Sequence, residues 1–171
     1  MNNFWQRLIT GTIFITVLIG AIVLGGLVMH IIFGLIVLFG LLEFYTLFDK
    51  TDSNPQKFIG TISGTCLYIF SILAIYYGSL FGIIAIALSL GIFVIITIAE
   101  LYRNKTKPFE NIALTLVGIV YLVVPFILLN QLSTRAEGVT ILHHTNPLLA
   151  IFILTWSNDT LAYVTGRLFG K

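Results

Sequence analysis

The chain has 171 residues, of which 58% are hydrophobic and only 9% are charged, whereas a soluble domain carries about 25% charged residues. This composition excludes an ordinary soluble domain and predicts an integral membrane protein. The formal net charge of +2 is too small to indicate a nucleic-acid-binding protein.

The amino-terminal part of the chain predicts four membrane-spanning helices. Residues 8–48 contain one formal charge, Glu43, and as a single helix they would be about twice as long as a hydrocarbon core of roughly 30 Å. The chain must therefore turn back, and Gly25-Gly26 is the best break. A Gly-Ser pair at residues 78–79 divides the next apolar stretch in the same way. The predicted spans are residues 10–24, 28–48, 58–76 and 80–99.

The rest of the chain predicts two more spans, residues 112–132 and 147–168, the second of which Pro147 opens. The fold class is therefore all-α: a polytopic integral membrane protein with about six transmembrane helices in one domain, residues 1–171. With a cytoplasmic amino terminus, eight of the nine basic residues lie on the cytoplasmic side. The positive-inside rule favours this orientation.

Asp159 is the most informative residue, because it lies inside the last apolar span, about 12 Å by helix rise from Arg167. A carboxylate at this depth costs about 2.5–3.5 kcal/mol on insertion scales, so something must offset that cost. One interpretation is a structural ion pair or hydrogen bond between helices. The other is a wet functional cavity, which is the default for ionisable residues inside a membrane.

Helical periodicity places Asp159 on a stripe with polar neighbours, because Thr155, Asp159, Tyr163 and Arg167 recur every four residues. Arg167 and Lys171 come at the end of the span, where cations can receive phosphate groups, although topological anchoring explains them equally well. An adjacent ridge of small residues would let another backbone approach closely; it consists of Ala162, Gly166 and Gly170.

Three further features carry less weight. Glu43 lies about 9 Å by helix rise from Asp49, so it is either an interfacial glutamate or a member of a cleft around Asp159. The G-x-x-x-G at Gly60–Gly64 predicts close helix packing. His143-His144 is interpreted as a solvated loop pair rather than a metal site, since ligands at suitable spacing are missing. Nucleotide-binding motifs of soluble folds are also missing from the sequence.

Three stretches resemble one family: RLITG (residues 7–11), LLEFYTLFDK (residues 41–50) and WSNDTLAYVTGRLFGK (residues 156–171). In this order and spacing they resemble the amino-terminal two thirds of phosphatidate cytidylyltransferase, also called CDP-diacylglycerol synthase. The last stretch is the specific one, because W-x-x-D-x-x-A-Y-x-x-G-x-x-x-G-[KR] combines an acid, an aromatic residue and glycines at fixed places.

The resemblance implies a multi-pass enzyme of the bacterial inner membrane that acts in phospholipid biosynthesis. Its substrates would be CTP and phosphatidic acid, its products CDP-diacylglycerol and pyrophosphate, and its cofactor Mg²⁺. The implied catalytic residues are Asp159, which would bind a cation or order the basic groups, and Asn158. The implied substrate-binding residues are Arg167 and Lys171 on phosphates, Tyr163 in the hydrogen-bond network, and Glu43.

Members of that family continue past this motif with a basic loop, further helices and a second signature that supplies the principal metal-binding aspartates. The resemblance therefore implies an amino-terminal portion, and we expect the 171-residue chain alone not to catalyse the reaction. Two other hypotheses stay open: a related CTP-dependent polyprenol kinase, and a non-catalytic membrane protein or transporter subunit with Asp159 in a structural ion pair. A homodimer is also left open.

Overall fold

The computed structural model describes residues 3–137, 140–143 and 145–169. Over these ranges the chain forms six α-helices and one short β-hairpin, so the predicted all-α architecture is confirmed. The helices are α1 (Asn3–Leu24), α2 (Gly26–Thr46), α3 (Lys57–Tyr77), α4 (Ser79–Arg103), α5 (Pro108–Ser133) and α6 (Thr145–Phe169), and the hairpin strands are β1 (Thr134–Glu137) and β2 (Thr140–His143).

Helices α2 to α6 are each long and apolar enough to cross a membrane. The apolar part of α1, Ile9–Leu24, is shorter and falls just below the roughly 17–25 residues of a typical span. Five or six spans therefore agree with the predicted number of about six. The cytoplasmic position of the amino terminus stays a prediction.

The two glycine breaks that the sequence indicates are confirmed as the turns between helices. Gly25 separates α1 from α2, which begins at Gly26, and the φ angles of the two glycines are 62° and 50°; Gly78 separates α3 from α4 with a φ angle of 88°. A residue with a Cβ atom is disfavoured in this left-handed region, whereas glycine enters it without a steric cost. Glycine therefore lets the chain reverse within one or two residues.

Two connections differ from the sequence-based expectation. The loop expected at residues 100–111 shrinks to residues 104–107, because α4 continues to Arg103 and α5 begins with Pro108, a residue favoured in the first turn of a helix. The loop expected before the last span contains the antiparallel β1–β2 hairpin, which pairs Thr134 with His143. Its β-branched residues favour an extended backbone. His144 lies outside the described residues.

Helices α2 and α5 form the centre of the bundle. Helix α2 contacts α1, α3 and α5, while α5 contacts α3, α4 and α6 as well, and α6 also contacts α1. The side of α2 that faces the core is one stripe at four-residue spacing, which packs against Ile119 and Val123 of α5. The stripe consists of Met29, Phe33, Val37, Leu41 and Tyr45.

Consecutive helices contact each other across short connections, so they run antiparallel. One end of the bundle therefore holds the amino terminus of α1, the α2–α3 and α4–α5 loops, and the carboxy terminus of α6. We call this end the basic face, because most of the basic residues of the chain lie in its loops and helix ends: Lys50, Lys57, Arg103, Lys105, Lys107 and Arg167.

The G-x-x-x-G at Gly60–Gly64 is confirmed as a helix-packing motif. A Cβ atom on Gly64 would lie 2.7 Å from Leu41 Cδ1 and 3.1 Å from Val123 Cγ2. Gly60 lies against the ring of Tyr45, which is fully buried and donates a hydrogen bond from its hydroxyl to the backbone oxygen of Thr115 at 2.7 Å. The absence of side chains at these glycines lets α2, α3 and α5 approach closely.

The substitution Gly64→Ala tests this packing. We expect it to lower the free energy of unfolding by about 1–3 kcal/mol, because the new methyl group overlaps two core side chains. Gly91→Ala in α4 is the matched control, since a Cβ there meets nothing within 4 Å and helix propensity then favours alanine by about 0.5–1 kcal/mol. Thermal unfolding in detergent, followed by circular dichroism, gives both values. Shifts of the same sign for the two variants would contradict the packing.

Candidate functional site

The first half of α6 anchors this helix to the bundle. Leu148 is fully buried, and Phe152 and Trp156 pack against the core at four-residue spacing. The rings of Phe152 and Trp156 also contact each other, with centroids 5.7 Å apart. One face of α6 therefore points toward α1 and α5.

The same face of α6 carries Asp159 in its second half. Asp159 comes eleven residues after Leu148 and seven after Phe152, which is close to three and two helical turns. Here, however, the helix is no longer covered, because Ser157–Leu161 are all exposed. In the first half of α6, near the hairpin, this face is apolar and packed. In the second half, toward the basic face, it is polar and exposed. We call its exposed polar members, Asp159 and Arg167, the open face of α6.

Within the described ranges, the carboxylate of Asp159 takes part in no ion pair. The one basic residue of α6, Arg167, comes two turns later. Thr155 and Thr165, one turn before and more than one turn after Asp159, donate their hydroxyl hydrogens to the backbone oxygens of Ile151 and Leu161, so they are satisfied within the helix. The described residues therefore supply no structural ion pair for Asp159, and its carboxylate is accessible to a ligand.

The other predicted site residues do not all lie on the open face of α6. Asn158 is exposed on α6, next to the open face. Tyr163 belongs to α6, but its side chain lies outside the described part, as does Lys171 altogether. Glu43 is exposed on α2 and lines a groove between α1 and α2 instead of the open face of α6.

The predicted ridge of small residues on α6 has no packing partner in the part of the chain that the structure describes. A Cβ atom on Gly166 would meet nothing within 4 Å, and Ala162 is exposed; Gly170 lies outside the described residues. The ridge and the open face are therefore both accessible on the second half of α6, and the close approach of another backbone stays a prediction.

A second polar site, which the sequence interpretation missed, surrounds Glu100 at the end of α4. Glu100 is only 3% exposed. Its carboxylate accepts hydrogen bonds from Gln56 Nε2 at 2.8 Å, Arg103 Nη1 at 2.7 Å and Asn111 Nδ2 at 2.6 Å. A carboxylate can be buried here because both of its oxygens are paired, one of them with a cation. We call Gln56, Glu100, Arg103 and Asn111 the Glu100 cluster.

The Glu100 cluster ties the α2–α3 loop to α4 and α5. Arg103 donates from Nη1 to the backbone oxygen of Asn54 and from Nη2 to its Oδ1, both at 2.9 Å. The backbone N–H of Asn54 in turn donates to Asn111 Oδ1 at 2.6 Å. Gln56 donates its backbone N–H to Thr115 Oγ1 at 2.8 Å. The loops of the basic face therefore form one connected unit.

A weak sequence signal for this cluster exists. The buried residues of α4 are Ile92, Ile96 and Glu100, so the acid continues an apolar stripe at four-residue spacing and precedes an arginine by three residues. Because neighbouring side chains already saturate Glu100, its role is to hold the fold. Asp159, by contrast, has an exposed carboxylate that a ligand can reach.

A further buried network lies at the opposite end of the bundle. His30 contacts Tyr76 Oη through Nε2 at 3.0 Å and Asn130 Oδ1 through Nδ1. Tyr68 donates to the backbone oxygen of His30 at 2.9 Å, and Asn130 Nδ2 donates to Tyr68 Oη at 3.0 Å. These bonds join α2, α3 and α5 and satisfy polar groups that the membrane would otherwise leave unpaired.

The described ranges contain no group of three or more His, Cys, Asp or Glu side chains that could hold a metal ion. Mg²⁺ needs fewer protein ligands than that, because it is commonly bound through one or two carboxylates together with substrate phosphates and water. The exposed carboxylate of Asp159 fits the role of one such ligand.

Comparison with protein families gives one match, which covers nearly the whole chain. The model of a family described as the cytidylyltransferase family matches residues 5–171. This range includes the Glu100 cluster, the groove between α1 and α2, and all of the open face of α6. Neither the curated proteins nor the solved structures contain a significant match.

Proposed function

The chain belongs to the cytidylyltransferase family, and we propose that it is a membrane-embedded enzyme that makes CDP-diacylglycerol from CTP and phosphatidic acid in phospholipid biosynthesis. The family supports CTP as a substrate. The observation that carries the proposal is the exposed carboxylate of Asp159 within a membrane-spanning helix, for which the described residues supply no ion pair, since such residues mark substrate and ion sites.

In the proposed reaction, a phosphate oxygen of phosphatidic acid attacks the α-phosphorus of CTP. A new phosphorus–oxygen bond forms, the bond from the α-phosphorus to the oxygen bridging to the β-phosphate breaks, and pyrophosphate leaves. Because both reactants are anions, the reaction needs alignment and neutralisation of charge more than it needs a strong base.

The open face of α6 has the chemistry for this task. Arg167 is exposed two turns beyond Asp159, and a guanidinium can hold two phosphate oxygens at once. We propose that Arg167 and Lys171 bind phosphates and that Asn158 and Tyr163 hold the network by hydrogen bonds. Asp159 would order the two cations or bind Mg²⁺, which when bound would neutralise charge on the triphosphate.

The position of the open face suits substrates from two phases. It lies toward the basic face of the bundle, where a cytoplasmic orientation would admit water-soluble CTP from one side. Since the described side chains in the second half of α6, at residues 157–162 and 165–167, are exposed, a lipid can reach this helix from the bilayer. We therefore propose a multi-pass protein of the bacterial inner membrane.

The experiment is a product assay in lipid nanodiscs that contain phosphatidic acid. The 171-residue chain and, where the gene continues beyond Lys171, its complete product are supplied with CTP and Mg²⁺, and lipids are separated by thin-layer chromatography. We expect CDP-diacylglycerol from the complete product and none from the 171-residue chain alone. Omission of phosphatidic acid is the control.

Two results of this assay bear on the alternatives. A phosphorylated polyprenol in place of CDP-diacylglycerol, when polyprenol is included, would identify a CTP-dependent kinase. The lack of any CTP-dependent product from every form of the protein would support a non-catalytic membrane protein. Product from the 171-residue chain itself would confirm the reaction and overturn the expectation that this chain is inactive alone.

A further inference from the structure

A groove lies between α1 and α2 on the lipid-facing side of the bundle. Its cavity volume is about 380 Å³. Apolar side chains from both helices line it, among them Phe14 and Val17 of α1 and Ile32 and Phe39 of α2. Among the described residues, Glu43 is the one charged member of its lining. The groove is therefore apolar except for the carboxylate of Glu43.

The dimensions of the groove match one lipid chain in one leaflet. Ile32 and Glu43 are eleven residues apart on α2, which corresponds to about 16 Å along the helix. This length is about half of a hydrocarbon core of roughly 30 Å. Phe14 and Phe39 are more than half exposed on its rim, so the groove opens to the lipid phase. These dimensions would fit an acyl chain from the leaflet on the side of the basic face.

Glu43 lies where the headgroup of such a lipid would be. It lies one turn before the end of α2 at Thr46 and is exposed. Among the described residues, no ion pair involves its carboxylate, and Thr46 bonds only to its backbone oxygen. An unneutralised carboxylate at the edge of the hydrocarbon attracts a cationic group and repels an anionic one.

We propose that the α1–α2 groove binds one acyl chain of a phospholipid with a primary-amine headgroup, whose ammonium pairs with Glu43. The ammonium donates hydrogen bonds as well as carrying charge. The site is distinct from the open face of α6. It prefers a headgroup that carries an ammonium, whereas the proposed substrate is an anionic lipid. It acts as an accessory lipid site that stabilises the α1–α2 pair.

The test measures which lipids the purified chain retains. The protein is equilibrated with equal amounts of phosphatidylethanolamine, phosphatidylglycerol and phosphatidic acid of identical acyl chains, and bound lipid is quantified by native mass spectrometry. We expect about fivefold enrichment of phosphatidylethanolamine, the size of one exposed ion pair. Glu43→Gln should abolish the enrichment, whereas the control Asp52→Asn, which removes an exposed acid outside the groove, should keep it.

A second measurement locates the bound chain. Phosphatidylethanolamine with a photoreactive group near the end of its acyl chain should label α1 and α2 around Phe14 and Ile32. Val17→Trp, which fills the groove, should reduce this labelling severalfold. Labelling spread evenly over all helices would overturn the proposal.

Three outcomes of the retention experiment would also overturn it: no enrichment, an enrichment that Glu43→Gln leaves unchanged, or enrichment of phosphatidic acid. The last would support the predicted role of Glu43 in substrate binding. Failure of the proposed enzymatic function is distinguishable, because it would appear as a lack of CDP-diacylglycerol with lipid retention unaffected.

Discussion

Asp159→Asn is expected to lower the rate of CDP-diacylglycerol formation about 10²–10³-fold, which is the usual effect of removing one group that stabilises charge at a reacting phosphate or oxyanion. The asparagine has the size of the aspartate but cannot order Arg167 and Lys171 through charge or bind a metal ion as a carboxylate does. The measurement is the initial rate of CDP-diacylglycerol formation in nanodiscs. It uses whichever form of the protein, the 171-residue chain or the complete gene product, makes CDP-diacylglycerol.

The matched control is Asp52→Asn, which removes a carboxylate whose side chain is 88% exposed and lies outside α6. It should retain nearly the full rate. Size-exclusion chromatography and thermal unfolding separate the two interpretations of Asp159. A normal rate in the folded Asp159→Asn protein, together with a large loss of stability, would identify a structural acid and contradict its catalytic role.

Glu100→Ala is expected to lower the free energy of unfolding by about 3–5 kcal/mol, because it removes one partner of a buried ion pair. The guanidinium of Arg103 and the side-chain amides of Gln56 and Asn111 would then lose a common acceptor. Equilibrium unfolding in detergent measures this change. The loss should release the α2–α3 loop, which Arg103 holds through Asn54.

Two further variants separate this effect from a general loss of charge. Asp52→Ala removes a carboxylate whose side chain is 88% exposed, so its ion pair with Lys107 should contribute only about 0–1 kcal/mol. The double variant Glu100→Ala/Arg103→Ala should be less destabilised than the sum of its single variants, since both single variants remove the same bond between Glu100 and Arg103. Similar losses for Glu100→Ala and Asp52→Ala would show that the Glu100 cluster does not hold the loops.

The helical architecture was predictable because a membrane imposes simple physical limits. An apolar stretch that is longer than the bilayer is thick must reverse its direction. The chain has two such stretches, and Gly25-Gly26 and Gly78 supply the backbone freedom for the turn in each. The ends of the helices were less predictable. Helix α4 continues to Arg103 because Glu100 is paired and buried there, and a hydropathy pattern does not show whether an acid has a partner.

The candidate site was predictable in part, because a membrane also limits where an acid can lie. Asp159 stands out because it is an acid far from either end of an apolar segment, whereas Glu100 is at the end of one and was assigned to a loop. Its partners Gln56 and Asn111 come from two other segments of the chain, 44 and 11 residues away. Such contacts depend on how helices pack, so they became visible only in three dimensions.

The placement of Glu43 shows the same limit. Sequence position allowed either an interfacial residue or a member of the cleft around Asp159. The structure places it on a groove between α1 and α2, where the neighbouring side chains are apolar. The depth of a residue along a helix can be read from the sequence. The neighbouring helix that it faces is harder to predict, because α2 contacts α1, α3 and α5.

The central proposal is transfer of a cytidylyl group, and the most direct test follows the phosphorus atoms of CTP. Two samples of CTP, labelled with ³²P at the α- or the γ-phosphorus, are supplied separately to the nanodisc-reconstituted protein with phosphatidic acid. We expect the α-label to enter the lipid as CDP-diacylglycerol and the γ-label to leave as pyrophosphate. Entry of the γ-label into lipid, or of neither label, would contradict the proposed function.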